Sequence, residues 1–157
     1  MRTYTVVFAN VSVTAIQDLF ALTPAANKPI ELVGLTLTQV GNADVGDAQE
    51  EMLRFSVVRG HTTTASGGTG PTPQTSKPTE SAAGFTAHVN GTTIASGGTT
   101  AVLHEDSFNV RAGVTLWWPD STEPGASAAN TTIVVRLNAA PADAITLSGT
   151  LYVRELG

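Results

Sequence analysis

Residues 30–40, IELVGLTLTQV, indicate a β-strand with one irregularity. Ile and Leu alternate with other residues on both sides of Gly34, but the phase of the alternation changes at that glycine. A period of two is the pattern of a strand that buries one face. An isolated glycine at a phase change is typical of a β-bulge. We therefore expect a long strand that bends at Gly34.

The same pattern recurs along the whole chain. Stretches rich in Val, Ile, Leu, Thr and aromatic residues are separated by clusters of Gly, Pro, Asn and Asp, which is typical of antiparallel strands and turns. The expected strands are residues 3–8, 17–22, 30–40, 52–59, 85–89, 92–95, 99–104, 107–110, 114–118, 131–137 and 145–155. Short strands without crossover helices favour an all-β, antiparallel β-sandwich, jelly-roll-like in its topology.

Length and composition predict a single domain, residues 1–157, and argue against two classes of partner, nucleic acids and membranes. Charged residues make up 13% of the chain, about half the usual share, and polarity comes from 24 Thr and 10 Ser. The net charge is −5 and the eight basic residues are scattered, so no nucleic acid partner is expected. There is no cysteine. No signal peptide and no membrane-spanning stretch is recognisable, so no membrane partner is expected.

A long Gly/Pro/Thr-rich segment, residues 61–83, has no apolar periodicity. Segments of this length in compact domains are usually functional or disordered. We expect either an extended arm that lies across a neighbouring subunit or a surface loop. Two similar hexapeptides, TASGGT at 64–69 and IASGGT at 94–99, are attributed to composition. Asn90-Gly91 predicts a tight hairpin turn between strands 85–89 and 92–95.

No constellation of catalytic or metal-binding residues emerges. The acidic loop 44–51 could bind calcium through carboxylates, but it lacks the ligand spacing of an EF-hand, and a solvated turn is the simpler interpretation. His61, His88 and His104 show no metal-ligand spacing, and His104 is placed at a turn. Neighbouring carboxylates on a strand would point to opposite faces. We expect no catalytic residue, no metal, no cofactor and no enzymatic activity.

Trp117 and Trp118 are the only tryptophans, and strand alternation would send one inward and one outward. The outward side chain, taken as Trp118, could stack on a sugar or lie in a subunit interface, where Trp is enriched. The alternative is packing under the following loop. Arg54 and Arg59 lie in a predicted strand and could pair with acidic protein surface. With His61, these residues form the candidate interface.

Several short phrases resemble a group of small proteins encoded by tailed phages and prophages. They are Glu51-Met52-Leu53-Arg54, Arg59-Gly60-His61-Thr62, Gly84-Phe85-Thr86-Ala87, Phe108-Asn109-Val110-Arg111, Leu116-Trp117-Trp118-Pro119 and Leu147-Ser148-Gly149-Thr150-Leu151-Tyr152-Val153. Small all-β proteins of this kind are similar to phage head decoration, or cement, proteins. The resemblance covers most of the chain, but its motifs are structural and transfer no site residue.

The resemblance implies a virion structural protein that is made in the bacterial cytoplasm and located on the capsid surface. It would bind the major capsid protein and stabilise the outer surface of the shell, as a homo-oligomer such as a trimer. The alternative is a carbohydrate-binding or receptor-binding β-sandwich module of a phage tail or fibre, with an exposed Trp as its stacking surface. An enzyme fragment is the weakest of the three hypotheses.

Overall fold

The computed structural model describes residues 1–39, 50–128 and 131–157, and these form two antiparallel sheets packed face to face. The predicted all-β antiparallel sandwich is confirmed. The strands are β1 (Arg2–Val13), β2 (Gln17–Thr23), β3 (Ile30–Gln39), β4 (Met52–His61), β5 (Gln74–Thr75), β6 (Thr86–Gly91), β7 (Ala101–Asn109), β8 (Val114–Trp117), β9 (Gly125–Ala126), β10 (Thr132–Leu137) and β11 (Ile145–Glu155).

The first sheet has the order β5-β1-β11-β3-β8, with β9 also pairing with β3, and the second has the order β6-β2-β10-β4-β7. Burial in β11 alternates strictly, so its odd-numbered residues enter the core and its even-numbered residues face outward. The expected bulge is confirmed. Gly34 pairs with Tyr152 while Leu32 pairs with Val153, so β3 carries one extra residue at this point.

Two local predictions are wrong. The expected strands 99–104 and 107–110 are replaced by the single strand β7 (Ala101–Asn109), which continues through the turn expected at His104 and pairs with β4. Glu105 and Asp106 are exposed there, because β7 is the edge strand of its sheet and its charged side chains stay in water. The Asn90-Gly91 hairpin also fails, since β6 continues through both residues and Gly91 pairs with Asp18 of β2.

The chain between β4 and β7 wraps its own second sheet. Residues 62–69 leave β4, β5 pairs with β1, β6 pairs with β2, and residues 92–99 return to β7. We call segments 62–69 and 92–99 the strap. Ala65 and Ala95 of the strap are buried on a small apolar patch of the second sheet, formed by Ala21, Val58 and Val134. Residues 61–83, expected as an arm or a loop, therefore contact their own sandwich, and the strap covers the centre of the outer face of the second sheet.

The two halves of the strap pair with each other around a local two-fold axis. Thr63 and Ser96 exchange two backbone hydrogen bonds of 2.9 and 3.0 Å, and Ser66 and Thr93 exchange two of 3.0 Å. Each residue of one half corresponds to the residue 30 positions later, and the burial pattern of residues 61–70 is repeated at 91–100. The two similar hexapeptides therefore form equivalent, paired halves of one structural element. Their attribution to composition alone did not predict this pairing.

A buried ion pair fastens the strap to the second sheet. The fully buried carboxylate of Asp18 accepts hydrogen bonds from Arg136 and, at 2.6 Å, from the backbone N–H of Ala95. Arg136 also donates a 3.0 Å hydrogen bond to the carbonyl oxygen of Ala95. His61 is buried beside this group, and burial, followed by the charge of Arg136, lowers the pKa of its imidazole. The backbone N–H and the backbone carbonyl of Ala95 are therefore both hydrogen-bonded to charged side chains.

Candidate binding face of the first sheet

The outer face of the first sheet is flat and rich in hydroxyl groups. Because the strand register is known, its side chains can be placed in rows across the sheet. One row runs Trp117, Gly34, Tyr152, Thr5, Gln74, and the next runs Thr115, Thr36, Thr150, Val7. Neither row contains a charged residue. The strap packs on the centre of the outer face of the second sheet. Among the described residues, no comparable segment lies over these two rows of the first sheet.

Trp117 and Tyr152 form an aromatic pair at one side of this face. Their ring centroids are 4.8 Å apart with an interplanar angle of 37°. Gly34 lies between them in the register, and a Cβ atom there would overlap the indole of Trp117. The missing side chain of Gly34 thus creates the space in which the indole lies close to the sheet. Trp117 is 54% exposed, so the indole is held in place and still faces water.

A charged group lies next to the aromatic pair. Arg154, one row along β11 from Tyr152, binds Glu31 at 3.3 Å and Glu123 at 2.9 Å, and Asp120 is 3.8 Å away. The pKa of the Glu123 carboxyl is lowered, chiefly by a hydrogen bond from its own backbone N–H and further by Arg154. Burial alone would lower the pKa of Arg154, but hydrogen bonds and charge from the two glutamates raise it. Glu123 and Arg154 are therefore ionised at neutral pH, and their hydrogen bond holds both side chains in place.

The two tryptophans point to opposite sides, as alternation predicts, but their assignment is reversed. The expectation that Trp118 is the outward side chain is wrong, since Trp118 is 8% exposed and Trp117 is the exposed one. The Trp118 backbone N–H donates to Val33, and its indole N–H donates to His104 at 3.4 Å. Trp118 follows the last residue of β8 and fills the opening between the two sheet edges, so it contributes to the core.

The other candidate interface residues do not join Trp117. Arg54, Arg59 and His61 all belong to β4 of the second sheet. Arg54 is exposed, Arg59 is exposed and donates a 2.9 Å hydrogen bond to the carbonyl of Gly125, and His61 is buried beside the strap. The structure thus places the five candidates at separate locations, and two of them, His61 and Trp118, are inaccessible to a partner in this conformation.

Sequence reasoning missed Tyr152 and Gly34 as neighbours of Trp117, and it missed Asp120 as a neighbour of Arg154. The phase change at Gly34 was recognised as a bulge, but its pairing with β8 and β11 depends on strand order, which no local pattern encodes. Most of the acidic loop 44–51, interpreted as a solvated turn with calcium binding as the alternative, lies outside the described residues. Glu51 accepts a hydrogen bond from the Ala142 N–H at 2.8 Å.

Within residues 1–39, 50–128 and 131–157, no group of three or more acidic or histidine side chains is arranged to hold a metal ion. The same residues contain no helix with the length and apolarity needed to cross a membrane. Comparison with known proteins finds no matching family model, no matching curated protein and no matching solved structure.

Proposed function

We propose that this chain is a virion structural protein that binds and stabilises the outer surface of a phage capsid. The observation that carries the proposal is the order of eight of its strands. They lie as β1-β11-β3-β8 in one sheet and β2-β10-β4-β7 in the other. Except between β4 and β7, consecutive strands of this set alternate between the two sheets.

This order supports a jelly-roll interpretation, in which two Greek keys share one barrel-like sandwich. Jelly rolls are used by viral capsid proteins and by lectins, so the architecture is compatible with a building or binding module. Fold alone does not decide function, and the proposal also rests on the resemblance of the short motifs to small proteins of tailed phages and prophages, a kind of protein that is similar to head decoration proteins.

The strap supports a bracing role. The chain between β4 and β7 adds β5 and β6 to the edges of the two sheets. Its strap packs on the centre of the outer face of the second sheet, and reciprocal backbone hydrogen bonds join the two halves of the strap. The first-sheet face and the edge strand β7 are left for contact with a partner. Val7 and Trp117 are the large apolar side chains exposed on that face, and Val102 is exposed on β7. We assign the capsid contact to the Val7 side of this largely uncharged face and to β7.

The proposed partners are the major capsid protein and further copies of this chain. Among the described residues β7 pairs only with β4, so its second edge can pair with another strand. A homo-oligomer, with a trimer as the proposed state, would place several copies of the first-sheet face on one symmetry axis of the shell.

The test uses particles of the encoding phage that lack this gene. Purified protein is added back, bound protein is measured by co-sedimentation, and the temperature of DNA release is recorded. The proposal predicts saturable binding and a higher release temperature. A V7S/V102S double variant should bind less, whereas I94S, on the outside of the strap, should bind like the parent protein. No binding of the parent protein would overturn the proposal.

A further inference from the structure

The side chain of Trp117 is held in a way that is unusual for an exposed aromatic. One side of its indole lies over Gly34 and against Tyr152, while 54% of the residue remains exposed. A large aromatic side chain in water is normally mobile, and ordering it costs conformational entropy. Here that cost has been met in the folded protein, so a flat apolar surface is pre-organised for a ligand.

The surroundings of this surface are polar and directional. Tyr152 and the row containing Thr115 and Thr36 provide hydroxyl groups on one side. On the other side lies the ion-pair group of Arg154, whose outermost member, Asp120, has a side chain that is 94% exposed. Carboxylate and guanidinium groups at the edge of an aromatic surface can each make two parallel hydrogen bonds.

We propose that this aromatic surface is a binding site for a neutral pyranose of an oligosaccharide whose ring hydroxyls are equatorial. Such a ring has a flat face of C–H groups, which matches the negative face of the indole. Its edge carries pairs of adjacent hydroxyls, which can donate hydrogen bonds to the exposed carboxylate oxygens of Asp120. Apolar contact with a few convergent polar groups is the usual composition of a small-ligand site.

The observations favour a sugar over a protein at this position. The core of a protein–protein interface is a continuous apolar patch with aromatic anchors. Around Trp117 the neighbouring outward residues are polar, and the nearest large exposed apolar residue in the next row, Val7, is three strands away on β1. Three strand spacings correspond to about 14 Å. An isolated aromatic surrounded by hydroxyls suits a single sugar ring, and the site does not require the capsid role.

The experiment uses the two indole N–H signals of the full-length, ¹⁵N-labelled protein, assigned with W117F. Cellohexaose and chitohexaose are titrated in separate samples, and hexaproline is titrated as a peptide probe. The Trp117 signal should shift saturably with at least one hexasaccharide, while that of buried Trp118 stays unchanged as an internal control. D120A should weaken the binding at least tenfold in the Trp117 signal, and V7A should leave it unchanged. W117A should weaken the binding at least tenfold when it is followed by the backbone amide signals of Tyr152 and Thr36.

Three results would overturn the proposal. The first is no shift of the Trp117 signal with either hexasaccharide. The second is a shift with hexaproline alone, which would identify a peptide site. The third is a shift produced by raising the protein concentration without added ligand, which would show that a second copy covers Trp117. Each of these results leaves the capsid proposal intact, because that proposal is tested on particles.

Discussion

The carboxylate of Asp18 is held by Arg136 in a two-point ion pair, with one hydrogen bond of 2.6 Å from Nε and one of 3.1 Å from Nη2. Asp18 belongs to β2 and Arg136 to β10, so the pair joins neighbouring strands on the outer side of the second sheet. Both residues also bind the backbone of Ala95 in the strap. The pair therefore connects the sandwich to the segment that covers it.

Replacing Asp18 by Asn should lower the free energy of unfolding by about 3 to 5 kcal/mol, because Arg136 would lose its charged partner in a buried site. Urea denaturation of both proteins measures the difference. The double variant D18L/R136M, which removes both charges, should be more stable than D18N. A loss below about 1 kcal/mol in D18N would show that the ion pair is unimportant for stability.

His61 should make the stability depend on pH. Burial, and then the charge of Arg136, lower the pKa of His61 below its usual value of about 6.5. The unfolded chain therefore takes up this proton at higher pH than the folded chain. The stability that neutral His61 contributes is fully present above the pKa that His61 has in the unfolded chain. It is lost as the pH falls through the lower pKa that His61 has in the folded protein. Between pH 8 and 5, H61Q should lose stability less steeply than the parent protein. Parallel curves for the two proteins would contradict this assignment.

Gly98 should be required for the strap. Its φ is +74°, and a Cβ atom there would overlap the carbonyl oxygen of Gly60. G98A should therefore open the strap, at a cost of about 1 to 3 kcal/mol. Hydrogen exchange should become faster at the amides of Thr63 and Ser96, which pair across the strap.

The matched control for that variant is G70A, since Gly70 has no contact closer than 3.6 Å to an added Cβ. Its exchange rates should equal those of the parent protein. Amides of the core strand β11 should stay protected in both variants. If G98A left the strap amides unchanged, the strap would not depend on this left-handed glycine.

Gly34 should control the position of Trp117. In G34A the added methyl group would overlap the indole, so Trp117 should move away from Tyr152. We expect a change in the Trp117 indole signal and in tryptophan fluorescence, and a loss of stability on the order of 1 to 3 kcal/mol. Fluorescence and indole spectra identical to those of the parent protein would contradict the described packing.

Much of the fold could be predicted because it depends on local alternation. Strands such as β11 and β3 were found with correct or nearly correct ends, since each buries one face. The bulge at Gly34 was also visible as a change of phase. The failure at Asn90-Gly91 arose because a turn signal was overridden by tertiary pairing, with Gly91 placed opposite Asp18 in the sheet.

The candidate sites could be predicted only in part. Adjacent tryptophans imply one exposed side chain, but which one depends on where β8 ends and on the opening between the sheets. The strap was missed because a Ser/Thr/Gly-rich chain produces similar hexapeptides by composition alone. Its signal was the offset of 30 residues, which extends over 62–69 and 92–99 with a single difference, at position 64 versus 94. Nothing local indicated that the two halves would pair.

The central claim, that this chain is a capsid surface protein, is tested most directly by its copy number in purified particles of the phage that encodes it. Quantitative mass spectrometry gives that number relative to the major capsid protein. We predict a copy number of the same order as that of the major capsid protein. A handful of copies per particle would indicate a tail or fibre component, and its absence from the particle would contradict a virion role altogether.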